Sequence, residues 1–303
     1  MSKSKNYKSL RTVVVTLLIV FVLIMNQYGS ARDKETSSTS LPSGVIEVHF
    51  IDVGQGDSIL IETKDSAMLI DAGENDKGID VVNYLQLQNI QKLDYLVGTH
   101  PHSDHIGGLD DVLNSFPVDK VLLPDVANNT ATFEEVLDTL DKKNLKITKT
   151  EVGDQYSFGD ATFTILSPAS PYDDMNDNSL VIKLNFGKNS FLFTGDAEKP
   201  AEIDMLAGAF DLSADVLKIG HHGSESSTSR DFLAAVNPTY AVICVGTNND
   251  YGHPKEETLR RIKEQGVKLY RTDMQGTIVF TSNGKNISVN TKDYDITDED
   301  LED

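Results

Sequence analysis

Twelve short runs rich in β-branched residues, set off by Gly, Asp or Pro, recur from Val45 to Thr281. They fall at 45–52, 58–62, 67–71, 95–99, 120–123, 162–166, 180–184, 191–194, 215–219, 240–245, 268–271 and 277–281. Helical spacing fills the gaps: Ile79-Val82-Leu85, Phe133-Val136-Leu137-Leu140, Ile203-Leu206-Phe210, Phe232-Leu233-Val236 and Leu259-Ile262. Pro200 and Pro254 stand where first-turn prolines belong. The first three strands follow one another closely, then strands and helices alternate, and this order restarts near Thr162. Two similar halves, each with strands inside and helices outside, predict an α/β fold: a four-layer αββα sandwich in one domain. The 39% hydrophobic and 24% charged content is that of a globular chain. The lone cysteine, Cys244, excludes a disulfide framework and a cysteine-rich zinc site.

The two ends read differently. Lys3, Lys5, Lys8 and Arg11 precede the apolar run Val13–Met25, and Gly29-Ser30-Ala31 offers small residues for cleavage. That layout is a secretory signal over 1–31, the alternative being an uncleaved signal anchor. Either way the protein is expected to be exported, secreted or held at the outer face of the cytoplasmic membrane. Residues 32–43 are a polar linker, 44–290 the folded domain, and 291–303 a solvated acidic tail with seven acids and one lysine. Loss of the signal would remove four positive charges and no negative ones, leaving the rest more acidic than the whole chain's −20. Such acidity disfavours extended binding to nucleic acid through phosphate neutralisation, but not brief capture of one phosphodiester.

Five of the seven histidines lie in two clusters. Thr99-His100-Pro101-His102-Ser103-Asp104-His105-Ile106-Gly107-Gly108 follows an apolar run and precedes an amphipathic helix. Four ligating side chains within six residues at a strand end can surround two cations from one loop. Imidazole nitrogen suits zinc, manganese or iron, and a carboxylate widens the choice. The second cluster is His221-His222, one residue after Gly220, and His253 precedes Pro254 in a loop.

The pattern His-x-His-x-Asp-His resembles the metallo-β-lactamase superfamily. So do Leu69-Ile70-Asp71-Ala72-Gly73 upstream and Phe193-Thr194-Gly195-Asp196 downstream. Phe50-Ile51-Asp52-Val53-Gly54-Gln55-Gly56-Asp57-Ser58, Lys218-Ile219-Gly220-His221-His222-Gly223-Ser224 and Tyr251-Gly252-His253-Pro254 resemble the soluble domain of the competence protein ComEC and its stand-alone relatives. Phosphorylcholine esterase domains of pneumococcal type are also similar, around 103–107 and 116–119. The resemblance implies two divalent cations, Zn²⁺ or Mn²⁺. His100 and His102 would hold the first, Asp104 and His105 the second, and Asp196 would bridge them. His221 would complete the second site, with His222 able to exchange roles with it. The chain departs at 173–180, Asp-Asp-Met-Asn-Asp-Asn-Ser-Leu, where most of the superfamily has a further histidine. The first metal would then be held weakly, recruit Asp177 or Asn178, or draw on the second cluster. An oxygen-richer shell would favour manganese.

The expected catalytic groups are Asp104, His222 and His253. His253, before a helix N-terminus that favours an anionic group, would donate to a phosphoryl oxygen or leaving group. Asp52, Asp57 and Asp71 are as well suited to scaffolding as to chemistry, and His49, inside a strand, reads as structural. Ser224, Ser226 and Ser227 lack a nucleophile context. These residues imply an exported hydrolase that attacks phosphorus with a hydroxide held between two metals. A phosphodiesterase or nuclease of the ComEC soluble-domain type is expected. An esterase acting on phosphorylcholine or another phosphorylated cell-envelope component is the rival, and a non-enzymatic surface-binding protein the third reading. The substrate partner is DNA or such a phosphodiester, without stable extended DNA binding.

Overall fold

A computed structural model describes residues 41–302, so the expected export segment and all but the end of the linker lie outside the described residues. The chain first lays down β1 (Ile46–Phe50), β2 (Ile59–Thr63) and β3 (Ala67–Ile70) as an antiparallel meander. Helix α1 (Gly78–Leu87) leads to β4 (Leu93–Val97), and α2 (Ser103–Ile106) with α3 (Leu109–Ser115) leads to β5 (Val118–Leu122). Helix α4 (Ala131–Lys142) then leads to β6 (Ile147–Thr148), and β3 to β6 pair in parallel. The same plan follows again. Strands β7 (Gln155–Phe158), β8 (Ala161–Ser167), β9 (Val181–Phe186) and β10 (Asn189–Phe193) form a meander. Then α5 (Lys199–Ala207), α6 (Arg230–Val236) and α7 (Glu256–Gln265) separate β10 from β11 (Val216–Lys218), β12 (Tyr240–Ile243) and β13 (Lys268–Arg271), all parallel. Past α8 (Thr272–Gln275), β14 (Ile278–Ser282) and β15 (Ile287–Val289) close the chain's strands.

The sheets run β15-β14-β1-β2-β3-β4-β5-β6 and β13-β12-β11-β10-β9-β8-β7. Three apolar clusters fill the three interfaces of the expected four-layer sandwich. Phe50, Phe163, Phe193 and Phe280 lie between the sheets, with the Phe50 and Phe193 rings 6.2 Å apart. Leu69 and Leu96 meet Val81, Leu85 and Leu113 beneath the first helical layer. Leu192 and Leu217 meet Ala201, Phe232 and Leu259 beneath the second. A strand buried on both faces needs an unbroken apolar run, which is why 67–70 and 241–245 show no alternation. Helix starts follow local chemistry too: Thr130 and Ser229 accept hydrogen bonds from the Phe133 and Phe232 amides.

All twelve expected strands are present, but the two halves are not clean. Strand β14 leaves the second half and pairs antiparallel with β1, from Ile46↔Ser282 to Phe50↔Ile278, so the last segment completes the first sheet. Strands β6, β7 and β15 are short and partly exposed, and carried too few apolar residues to stand out. Pro200 lies in the first turn of α5 as expected. Pro254 does not lie in α7, which starts at Glu256 with Lys255 as its cap. No helix among the described residues is long and apolar enough to cross a membrane.

The C-terminal segment is docked rather than solvated. Tyr294 pairs with Leu269 at the open edge of β13, its amide donating to the Leu269 carbonyl at 2.6 Å. The Arg271 guanidinium lies 4.9 Å from the Tyr294 ring centroid, and Ile296 is buried in the second outer core. Asp300 accepts from the Tyr294 hydroxyl and from the Thr297 amide and hydroxyl. Of the acids, Asp300 lies 3.4 Å from Arg271, while Asp293, Asp295, Glu299 and Glu302 stay exposed to solvent. Truncation after residue 290 should therefore destabilise the fold by about 2 kcal/mol through Ile296 alone. Thermal unfolding should read this as a loss of roughly 5 °C.

Candidate metal centre

The loops that bear the histidines, Asp71 and Asp196 all leave the carboxyl ends of adjacent strands: β3 and β4 in the first sheet, β10, β11 and β12 in the second. Asp71, just past β3, takes a left-handed backbone with φ 58°. Its Oδ1 accepts from the Thr99 amide at 2.7 Å, and its Oδ2 from the Thr99 hydroxyl at 2.7 Å. The Gly54-Gln55-Gly56 turn packs against the histidine loop so closely that a Cβ on Gly56 would sit 2.2 Å from the Asp104 carbonyl oxygen. Only glycine admits that approach. His221 and His222 both sit at positive φ, 45° and 51°. A left-handed conformation for two consecutive non-glycine residues is strained, and such strain concentrates at functional sites.

These loops converge on Asp196. Its Oδ2 lies 3.2 Å from His105 Nε2, 3.4 Å from His222 Nε2, and 3.8 Å from the Nε2 atoms of His100 and His221. His222 Nε2 is also 3.2 Å from Asp104 Oδ2 and 3.3 Å from His105 Nε2. His100 Nε2 is 3.0 Å from His102 Nδ1. Donor atoms held around a tetrahedral cation with bonds of 2.0–2.1 Å lie about 3.3 Å from one another. The ligand atoms of Asp104, His105, Asp196 and His222 all fall within 4.8 Å of one another, and Asp196 Oδ1 is buried with no hydrogen-bond partner. The donor set fits metal.

Each inward nitrogen is set by what the other nitrogen touches, as expected of metal-ligating histidines. His105 Nδ1 faces Asp71 Oδ2 at 2.8 Å, and His222 Nδ1 donates to the Cys244 carbonyl at 2.8 Å. His221 Nδ1 faces Glu198 at 2.7 Å, and His100 Nδ1 lies 3.3 Å from the Ser179 hydroxyl. Behind them, the fully buried Lys218 ammonium lies 2.8 Å from Asp57 Oδ2 and donates to the Ile219 carbonyl at 2.8 Å. Asp57 in turn lies 3.4 Å from His222 Nδ1. Burial opposes ionisation of Asp104 and Asp196, yet His105 and His222 hold both carboxyls below the ordinary range. Burial likewise opposes charge on His105 and His222, but Asp196 and its neighbouring carboxylates lift both well above the usual histidine value. Burial and His105 push His100 down. The convergence point therefore favours positive charge, which protons or divalent cations can supply.

The structure sorts the sequence expectations. Asp104, His105 and Asp196 gather as anticipated, but their fourth partner is His222, not His221. The tight turn after β11 turns the His222 ring inward, while His221 stands 3.8 Å from Asp196 Oδ2 beside Glu198 and His253. Asp177 and Asn178 are not recruited toward the centre. Asp177 Oδ1 accepts from the amides of Glu198 and Ala201 at the start of α5, and Asn178 braces the loop at Tyr172 and Asp174. Ser224 and Ser226 bond each other, and Ser227 bonds the Gly220 carbonyl, so none stands ready as a nucleophile. The centre opens into a cleft of about 410 Å³ lined by residues including Gln55, Thr130, Asn176, Tyr251 and His253. No residue of α7 lines it, and α7 carries Glu256 and Glu257 in its first turn, so that helix end offers no anion seat. His253 is held down to about 4 by burial and by His221 and His222, and its Nδ1 has no hydrogen-bond partner. It is a neutral imidazole at pH 7. Glu198, Lys218, Ser179 and the Cys244 carbonyl were not anticipated. No spacing marks them, because their role depends on which strand ends lie side by side.

A sequence model of the metallo-β-lactamase superfamily matches residues 51–247. ComE operon protein 3 of Bacillus subtilis (strain 168) is 32% identical over 253 residues, covering 77% of this chain and 33% of that protein. Competence protein ComA of Neisseria gonorrhoeae is 31% identical over 245 residues, covering 80% of this chain and 33% of that protein. The chain thus spans about a third of the length of these curated relatives. Among solved structures, the metallo-β-lactamase fold protein YhfI from Bacillus subtilis superposes with a TM-score of 0.55 at 14% identity, over 78% of this chain and 100% of that one. A CmlA β-hydroxylase mutant gives 0.53 at 14% identity, over 77% and 53%. Those two likenesses concern the fold, whereas the sequence matches reach the residues of the centre. With its strand-end histidines gathered on Asp196, the chain belongs to the metallo-β-lactamase superfamily and is ComEC-like.

Proposed function

We propose that the protein is an exported metal-dependent phosphodiesterase of the ComEC soluble-domain type, with DNA as its phosphodiester. The observation that carries this reading is the approach of four imidazoles, those of His100, His105, His221 and His222, to one oxygen, Asp196 Oδ2. His100, His102 and His221 would hold one cation with Asp196, and Asp104, His105 and His222 the other. His221 thereby fills the place of the histidine missing from 173–180. This nitrogen-rich set suits zinc at least as well as manganese. Bound there, two divalent cations supply Lewis acidity to water and to a phosphoryl group.

The chain's own groups do the rest. Asp196 and Asp104 fix the negative charge that balances the site. His253, neutral and part-buried beside His221 at a ring separation of 5.4 Å, donates its N–H to the departing oxygen. The cleft admits one phosphodiester rather than a long strand. The competence protein among the relatives supports DNA as the source of that group. A second reading has its own observation: no lysine or arginine lines the cleft, and Tyr251 stands 61% exposed at its mouth, stacked beside His253. An exposed aromatic at the mouth of a cleft lined by no lysine or arginine suits a cationic head group, as in a phosphorylcholine ester, with the nearby Lys255 ammonium turned to the Tyr251 carbonyl at 2.7 Å.

Asp196→Ala or His102→Ala should abolish metal-dependent hydrolysis, and full activity in either variant would sink the mechanism. Glu198→Gln, which removes the charge behind His221, should weaken metal affinity by roughly 10–100-fold, measured by competition with a chelating dye. Lys218→Met should destabilise the fold by about 3–5 kcal/mol in urea, because Asp57 is left buried without its cation. The substrate is decided by a panel of single-stranded DNA, a nitrophenyl phosphodiester and a nitrophenyl phosphorylcholine ester under Zn²⁺ and Mn²⁺. Cleavage of DNA is expected; turnover of the phosphorylcholine ester alone would reject the nuclease.

A further inference from the structure

On the face of the first sheet that α1 covers, three side chains meet without any role in the cleft. Glu47 and Glu62 stand directly opposite each other across the antiparallel β1–β2 pair. Like charges in that arrangement repel, and the fold must offset them. His49 lies two residues along β1, hence on the same face, and is only 2% exposed. Its Nε2 sits 3.2 Å from Glu62 Oε1 and 3.5 Å from Glu47 Oε2, poorly aligned for a hydrogen bond to either, and the two carboxylates favour positive charge at this nitrogen against the cost of burial. A proton on Nε2 would have to be aimed at one of these oxygens. Instead the nitrogen stands at about the 3.3 Å spacing of ligands around a tetrahedral cation from an oxygen of each carboxylate, and one ligand atom from each of the three side chains lies within 4.8 Å of the others.

We propose that Glu47, His49 and Glu62 form a further divalent-cation site of zinc type, distinct from the cleft. His49 Nδ1 lies 2.8 Å from the Tyr84 hydroxyl, whose oxygen can accept the Nδ1 proton and leave the Nε2 lone pair pointing between the carboxylates. Burial, with Glu62 and Glu47 nearby, lifts the Tyr84 hydroxyl to about 12, so it stays protonated at neutral pH. Glu47 is steadied from the other side by the Thr281 hydroxyl on β14, at 3.0 Å. Its side chain remains 25% exposed, which leaves an entry path and a position for water. One imidazole and two carboxylates are an ordinary zinc donor set. A cation here ties β1 to β2, the strand pair that carries the 51–58 loop and with it Asp57, the partner of Lys218 behind His222. The site would brace the centre without touching it.

The test is equilibrium dialysis of the full chain against Zn²⁺ alone, with metal analysis, for the wild type, His49→Gln and Glu62→Gln. Each variant should retain one zinc fewer per chain than the wild type. Glu62→Gln keeps the shape of the side chain and lessens the like-charge repulsion, so it reports even where His49→Gln fails to fold. As an independent readout, added Zn²⁺ should still raise the melting temperature by several degrees in a His102→Ala/Asp196→Ala background, and not once Glu62→Gln is added. Equal zinc counts in the wild type and Glu62→Gln, or equal zinc stabilisation with and without that substitution, would overturn the proposal and leave His49 as an imidazolium paired with two carboxylates.

Discussion

Four imidazole nitrogens approach a single carboxylate oxygen of Asp196 to within 3.8 Å, inside a region where His100, His105 and His222 are almost fully buried. Imidazoles and carboxylates crowded this way need positive charge among them, from protons or divalent cations, and their own chemistry does not fix which way each ring faces. They stay because each ring is pinned from behind, His105 by Asp71, His221 by Glu198 and His222 by the Cys244 carbonyl. The surrounding fold can be understood as the apparatus that supplies those pins. It places the ends of β3, β4, β10, β11 and β12 along one rim, so loops distant in sequence meet.

The Lys218–Asp57 pair shows how deep that support runs. A fully buried ammonium is an expensive group to desolvate, and its attraction to Asp57 repays this only with further hydrogen bonds, which the Ile219 and Gly195 carbonyls accept. Asp57 comes from the loop after β1 and Lys218 from the end of β11, so this one pair crosses from the first sheet to the second beneath the centre. Breaking it would free both the loop that packs against Asp104 and the turn that presents His222. The strained left-handed backbone at His221 and His222 belongs to the same economy of position, since a relaxed turn would aim a different ring inward.

Much of this was legible in one dimension. The strand runs, the restart of their pattern near Thr162 and the histidine loop after 95–99 were all visible, because apolar periodicity and residue type are local properties. The metal-capable residues were visible for the same reason. What escaped were β6, β7 and β15, too short or too exposed to carry a pattern, and the return of β14 to the first sheet. Escaping too were the roles of Glu198, Lys218 and Ser179, ordinary polar residues until a neighbouring strand end gives them a partner. The acidic C-terminal segment was misjudged for a related reason: its charge was plain, but the arginine and the open strand edge that receive it lie on β13 and past it in space, not beside it in the chain.

The sequence by itself determined the layered α/β architecture and the types of donor available, histidine and aspartate with no cysteine among them. Only the tertiary structure decided which donors share a cation's place. It turned His222 rather than His221 toward Asp104 and His105, and it committed Asp177 and Asn178 to bracing a loop. Two adjacent histidines are equivalent as letters. They become different through the φ angles of one turn and the carbonyl of Cys244, whose position is set by the pairing of β11 with β12.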